Sequence, residues 1–555
     1  MNHNSTLSRQ EILANITTQT YDLVVVGGGI TGAGIALDAA SRGLKVALFE
    51  KEDFASGTSS KSTKLIHGGL RYLKQLEIGL VRETGTERAI LHKLAPHLVL
   101  PEKMLLPLIK EGTYGKSSTS FGLAVYDFLA GVKREDRRKM LNVEETLSKE
   151  PLLRKEVVVG GGYYAEYRTD DARLTIELIK TAAQLGASSL NYMAVQHFTY
   201  DNQHKVNGVQ VHDRLTGNTY TVKTNYIISA AGPWVDELRK ADNSLQGKHL
   251  FPSKGVHIVV PHDKFPVQQA VYFDVPDGRM IFAIPRHRTT YIGTTDTPYQ
   301  GDLNHVLTTS EDVAYLLESV NSMFPQVDLT IQDVESSWAG LRPLIFEPGK
   351  SASQMSRKDE IFESESGLIS IAGGKLTGYR KMAERVVNKV ALRYQQQFGK
   401  KIKPSQTQYI KLAGGQLPDS QAVKNYYQSI LQQLQTLGLA PYQAAYLVSN
   451  YGKQTDLILE QMLHLKGDVQ ERLACAELWF TIQEEWVQKP LDFFNRRTGR
   501  LYFDMPSIHK VQEAVLQYFK NYFHWTDAQL AEERATLEAA MYEVSHFEEA
   551  HVHSK

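Results

Sequence analysis

The residues best suited to chemistry in this 555-residue chain come early. Gly27-x-Gly29-x-x-Gly32 follows the apolar run Asp22–Val26 and opens a segment with Ile35, Ala36, Ala39 and Ala40 along one side. In such a strand–turn–helix the first glycine permits the tight turn. The second lets backbone approach a pyrophosphate, and the third lets the helix pack against its strand. Unpaired N–H groups and the helix dipole then favour the anion. Glu50 ends a second apolar run, Lys45–Phe49, about 20 residues further on, where an acid accepts hydrogen bonds from ribose hydroxyls. The pattern assigns a dinucleotide to Gly27, Gly28, Gly29, Ile30, Thr31, Gly32 and Glu50, without separating NAD from FAD. The next segment, Thr58–Tyr72, separates them. Its hydroxyls, amides and cations (Thr58, Ser59, Ser60, Lys64) cluster at a distance suited to a pyrophosphate–ribityl–flavin chain. Its Leu65–Tyr72 half, with His67, Gly68 and Gly69, is too apolar and glycine-rich for a solvated loop. FAD is the expected cofactor.

These residues need elements to hold them. The first helix closes at Gly43 after Arg42, completing a βαβ unit. Thr169-Asp170-Asp171 offers an N-cap to a helix carrying Leu174, Leu178 and Ile179. Val206–His212, Thr216-Gly217-Asn218 and Tyr220–Lys223 read as strand–turn–strand, and Tyr226–Ser229 as an apolar strand running into Ala230-Ala231-Gly232-Pro233-Trp234. Between Val256 and Thr295 the runs His257–Val260, Val271–Val275, Met280–Ile284 and Thr290–Thr294 predict an antiparallel sheet, with Pro276-Asp277-Gly278 as a turn. Gly373-Gly374-Lys375 precedes a helix striped by Met382, Val386, Val390 and Tyr394. Beyond about Ser405 only helical periodicity remains, with Val423, Tyr427, Ile430, Leu434 and Leu437 on one face and Val511, Ala514, Val515, Tyr518 and Phe519 on another. The fold class expected is α/β in three parts. A discontinuous FAD-binding domain takes 20–95, 155–250 and 355–400; a substrate domain takes 96–154 and 251–354; a helical domain takes 405–555.

Lysine plus arginine equals aspartate plus glutamate at 62 each, so the chain lacks the cationic surplus of a nucleic-acid binder. The single cysteine, Cys475, excludes an internal disulfide and reads as a small buried helix residue. No metal-ligand spacing occurs. The polar N-terminus has no signal-peptide core, and no run reaches the ~18 apolar residues of a spanning helix. The expected location is cytoplasmic, or peripheral on the inner membrane face. A candidate interfacial segment is Phe121–Leu129 followed by Lys133, Arg134, Arg137, Arg138 and Lys139; an ordinary core helix with a charged turn fits it equally.

Gly27–Gly34, Ser59–Tyr72, Asp170–Leu174, Ala231–Trp234, Lys254–His257, Ile292–Asp296, Gly340–Leu344 and Gly373–Arg380 occur in an order that resembles the FAD-dependent sn-glycerol-3-phosphate dehydrogenases, with Arg496-Arg497-Thr498 resembling a further family element. The resemblance implies an FAD-binding Rossmann-like domain of the glutathione-reductase/D-amino-acid-oxidase type, an antiparallel-sheet substrate domain and an all-α C-terminal domain. It implies oxidation of glycerol 3-phosphate to dihydroxyacetone phosphate in glycerol catabolism, with electrons passed to a membrane quinone. It also admits a homo-oligomer. Further cofactor contacts are then Val195, Ala231, Gly232, Gly374, Lys375, Leu376 and Thr377, besides Leu65.

That chemistry needs a phosphate clamp, a base for the hydroxyl proton and cations for reduced flavin. Arg71, Arg342 and Arg357 are the clamp candidates, and Pro343 stiffens the backbone after Arg342. His67 and His257 are the imidazoles nearest the expected site. Tyr72 and Lys375 complete the expected substrate contacts, Lys375 also suiting the flavin carbonyl end. Three other readings compete: an oxidase passing electrons to oxygen, an amino-acid oxidase of related fold, and a flavin-binding redox sensor without turnover. The mid-chain insertion of the oxidases has no counterpart here, which favours the dehydrogenase.

Overall fold

The structure is a computed structural model, described here for residues 8–66, 78–112, 138–349, 355 and 358–547. His67, Gly68, Gly69, Arg71, Tyr72 and Arg357 lie outside the described residues, as does the candidate interfacial segment from Phe121 through Arg137.

Two sheets organise the first 400 residues. In one, five parallel strands run in the order Ile369–Gly373, Thr219–Ser229, Thr20–Val26, Val46–Phe49 and Ser188–Leu190. Leu23, Val24, Val25, Val46, Ala47 and Leu48 are wholly buried, as strands covered on both faces must be. The helix Ile30–Ser41 packs against Asp171–Gln184 and Tyr379–Phe398 on one face. The runs read separately as Tyr220–Lys223 and Tyr226–Ser229 form one strand, Thr219–Ser229. Its first half pairs antiparallel with Val206–Asp213, which pairs in turn with Met193–Tyr200.

The second sheet centres on Leu250–Pro261, flanked by Ser336–Ile345 and Thr289–Gly293, and continues through Met280–Arg286, Ala270–Asp274, Leu100–Ile109 and Val158–Arg168 to Leu65–Ile66. It is antiparallel except where Ala270–Asp274 meets Leu100–Ile109 in parallel. Residues 155–168 were expected with the FAD-binding part, but Val158–Arg168 belongs to this second sheet. It pairs along its length with the strand carrying the buried Leu105, Leu106 and Leu108, a long-range pairing invisible to local pattern.

From Ser405 onward the described residues are helical. The helix Ser420–Thr436 buries Val423, Tyr426, Ile430 and Leu434. Val423, Ile430 and Leu434 of the expected face are buried; Tyr426 is buried more deeply than Tyr427, which packs at its edge, and Leu437 is the exposed C-cap. Cys475 sits half-buried on Val469–Glu484, where burial, with Glu471 nearby, pushes the thiol up to about 11 and keeps it unreactive. No helix among the described residues is long and apolar enough to cross a membrane.

Candidate functional site

The glycine loop sits where the strand Thr20–Val26 ends. Gly27 has φ +111°, and a side chain there would lie 2.6 Å from the Ala230 carbonyl oxygen. A Cβ on Gly32 would collide with the Gly27 carbonyl oxygen, so this glycine serves helix-to-strand packing rather than the cleft. Gly29 is the N-cap of Ile30–Ser41 and has no side chain to cap it, leaving the first turn open toward a cleft lined by Gly27, Gly29, Ile30 and Thr31. Ser59 Oγ accepts from the Ile30 N–H at 2.9 Å, which fixes the loop Ser56–Ser59 beside the helix terminus.

The cleft encloses about 1360 Å³ including its open mouth. Glu50, Met193, Val195, Ala231, Gly232, Thr58, Ser59, Gly374, Lys375 and Leu376 also line it. Glu50 accepts from the Gly28 N–H at 2.6 Å and from the Glu52 N–H at 3.0 Å. Burial nonetheless pushes its carboxyl up to about 7. Gly28 does not line the cleft; a Cβ there would press on Phe54 and Glu50.

A second cavity shares Thr58, Ser62, Pro343, Gly374, Lys375 and Leu376 with the first, so the two are continuous. It adds His257, Arg342, Lys61, Thr63, Leu65 and Thr377. The sheet register brings His257 opposite Gly293 on one side and Trp338 on the other. The ring stacks on Trp338 at 4.8 Å, and a Cβ on Gly293 would lie 2.7 Å from its Nε2. Nε2 hydrogen-bonds Thr63 Oγ1 at 3.0 Å, while Nδ1 is sealed from solvent without a partner among the described residues. Burial, with Arg342 and Lys64 nearby, holds the imidazole well below its ordinary range and therefore neutral.

Arg342 pairs across from Ser253. Its guanidinium donates to Thr294 Oγ1 at 2.9 Å, to the Thr295 carbonyl at 3.2 Å and to Asp296 at 3.3 Å. The fork lies flat over Gly255, where a Cβ would come within 2.6 Å of Nη1 and 2.7 Å of Cζ. A glycine in this strand thus makes room for a cation.

Besides Gly28 and Gly32, two more of the expected contacts point elsewhere. Lys64, at φ +57°, turns into the protein, where its ammonium pairs with Asp171, donates to the Ser60 carbonyl at 3.0 Å and lies 3.9 Å from Asp170. It does not line either cavity. Ser60 is buried, with its hydroxyl on the Gly57 carbonyl at 3.4 Å. Lys61 does line the second cavity, together with Arg342 and Lys375. Burial lowers the Lys61 pKa, and the charges nearest it, Glu543 and Arg496, belong to the helical domain. Composition singles out the segment, but it cannot say which of two lysines three residues apart lines a cavity and which is locked in an ion cluster. The left-handed backbone at Lys64 decides it.

A parallel sheet with an anion-accepting helix terminus at its edge, glycines where backbone must approach a ligand, and an adjoining cationic cavity define a flavin-dependent oxidoreductase. The family model described as "FAD dependent oxidoreductase" matches residues 22–380, and "C-terminal domain of alpha-glycerophosphate oxidase" matches residues 405–530. The chain is 51% identical to the aerobic glycerol-3-phosphate dehydrogenase of Bacillus subtilis, over 95% of this chain and 96% of that one. It is 49% identical to the Staphylococcus aureus protein of the same name, over 98% of each. The solved structure of glycerol-3-phosphate dehydrogenase from Bacillus halodurans complexed with FAD superposes with a TM-score of 0.83 at 44% identity, covering 98% of this chain and 99% of that one. The chain belongs to the FAD-dependent aerobic glycerol-3-phosphate dehydrogenases. FAD is its cofactor, and the open helix terminus, the glycines and the volume of the cleft suit it.

Proposed function

We propose that this enzyme oxidises the C2 hydroxyl of sn-glycerol 3-phosphate to give dihydroxyacetone phosphate. The observation that carries this reading is the cationic cavity holding Arg342, Lys61 and a neutral His257, open to the FAD cleft through Gly374–Leu376. FAD, when bound, supplies the hydride acceptor. The chain's own residues do the rest. Arg342, its fork held by Thr294–Asp296, binds the phosphate of the substrate, with Lys61 as a second cation and the candidates Arg71 and Arg357 from the segments outside the described residues. His257 is neutral and offers the Nε2 edge it shares with Thr63 to the C2 hydroxyl proton, while the burial and cations that keep it neutral also weaken it as a base. Lys375, at the junction of the two cavities, balances negative charge developing at the cofactor end. Of the cofactor contacts, Gly27, Gly29, Ile30, Thr31 and Ser59 hold the pyrophosphate and Glu50 with Val195 the ribose side.

Electrons then pass to a membrane quinone, and the enzyme works on the cytoplasmic face as a peripheral protein. Washing membranes with high salt or alkali is expected to release it. Anaerobic mixing with glycerol 3-phosphate is expected to bleach the flavin absorbance, whereas glycerol does not. Bleaching by glycerol alone at a comparable rate overturns the phosphate clamp. Hydrogen peroxide formed in step with turnover would favour the oxidase.

A further inference from the structure

The helical C-terminal domain grips a buried carboxylate beside the loop that lines the cofactor cleft. Asp53 stands three residues after Glu50 and directly before Phe54–Ser60, several of whose residues line the cleft; its side chain is wholly buried. From the helical domain, Arg497 lays a two-pronged fork on it, Nη1 to Oδ2 and Nη2 to Oδ1, both at 2.8 Å. Arg496 adds its Nε to Oδ2 at 2.5 Å. Asn191 donates to Oδ1 at 3.0 Å and also donates to the Trp486 carbonyl at 2.9 Å. Burial alone would raise the Asp53 carboxyl, but the two arginines outweigh it and hold the group down at about 2.

The neighbouring side chain repeats the connection in apolar form. Phe54 packs edge-on against Trp486 of the helical domain, ring centres 5.7 Å apart, and its other side presses on Gly28, where a Cβ would lie 2.6 Å from it. The Ala55 N–H donates to the Gly28 carbonyl at 3.1 Å, tying the same loop to the glycine turn. Arg497 is itself fixed by donation to the Glu485 carbonyl at 2.7 and 3.1 Å, and Glu485 is gripped by Arg173 and Lys180 of the helix Asp171–Gln184.

We propose that Arg496 and Arg497 are positioning residues for FAD: through Asp53 and Phe54 the helical domain holds the loop Lys51–Ser60 in its cofactor-binding shape. The domain thereby controls how tightly FAD is retained, although neither arginine lines the cleft. The Arg497 guanidinium and the Asp53 carboxylate are buried and matched as a planar pair, so Arg497→Lys keeps the charge but not the two-pronged geometry.

The test compares wild type, Asp53→Asn, Arg497→Lys and the double variant as purified full-length chains. FAD dissociation is followed by the rise in flavin fluorescence on dilution, and affinity by titrating apoprotein with FAD well below the melting temperature. Each single variant is expected to weaken FAD binding at least tenfold. The double variant should be little weaker than the worse single, because both remove one interaction. At saturating FAD the KM for glycerol 3-phosphate should stay within twofold of wild type. If Asp53→Asn and Arg497→Lys do not fold, Arg496→Lys, which leaves the Arg497 fork, should still weaken FAD binding about threefold. A loss of thermal stability with FAD affinity unchanged within twofold overturns the proposal, as does full additivity in the double variant.

Discussion

Gly255→Ala is the sharpest probe of the substrate side, because the replaced residue has no functional group of its own. In the structure the Arg342 guanidinium occupies the space a methyl would need: 2.6 Å to Nη1 and 2.7 Å to Cζ, against about 3.4 Å for ordinary contact. Nη2 lies closer still, so the fork must shift by about 1 Å, away from the 2.9 Å bond to Thr294 and the 3.2 Å bond to the Thr295 carbonyl. The clash is with the far end of a flexible side chain, so the strand itself can stay in place. Misplacing a binding group by ~1 Å costs on the order of 100-fold, equivalent to about 2.7 kcal/mol at the transition state. Steady-state kinetics with an artificial electron acceptor should show kcat/KM for glycerol 3-phosphate down about 100-fold, while FAD content and melting temperature stay near wild type. In an Arg342→Ala background the same change should add little, since the side chain it strikes is gone. A Gly255→Ala enzyme with kcat/KM within threefold of wild type refutes the assigned geometry, and so does an equal further loss in the Arg342→Ala background.

Lys61→Gln should raise KM for glycerol 3-phosphate about tenfold, with FAD affinity little changed, whereas Lys64→Gln should lower stability by breaking a buried ion cluster; the reverse pattern, read by kinetics and thermal melts, would mean the two lysines have been assigned the wrong way round. Gly32→Ala should yield protein without flavin, visible as loss of yellow colour, because its methyl strikes the Gly27 carbonyl; normal flavin content would contradict the packing argument. His97 is wholly buried, and burial among Arg173, Lys180 and Lys411 lowers its pKa to about 3. Its unfolded value near 6.5 lies above this, so the unfolded state binds more protons below pH 6.5 and stability falls as pH falls through that window. From about pH 6.5 to about pH 5 the cost is about 2 kcal/mol at roughly 1.4 kcal/mol per unit. In urea melts the stability of wild type relative to His97→Leu should drop by that amount between about pH 7 and about pH 5, and a pH-independent difference would show that His97 does not titrate as argued.

The glycine turn, the acid at Glu50 and the flanking strands were legible in sequence because each depends on backbone conformation and neighbours within one βαβ unit. The same holds for the Asp170 cap, whose side chain accepts from the Arg173 N–H three residues on at 3.0 Å. Order and spacing of short motifs were enough to name the family. What they could not show is which side chains converge from strands far apart in the chain. The pairing of Val158–Arg168 with Leu100–Ile109, the Gly255 space beneath Arg342 and the inward turn of Lys64 all depend on long-range sheet register or on a single positive φ. The Arg497 fork on Asp53 joins residues 444 positions apart. Sequence by itself determined the cofactor and the class of chemistry, because those follow from local backbone demands. Only the tertiary structure decided which charges line the cavities and which pair between the helical domain and the rest, since a buried charge is stable only beside partners that folding brings to it.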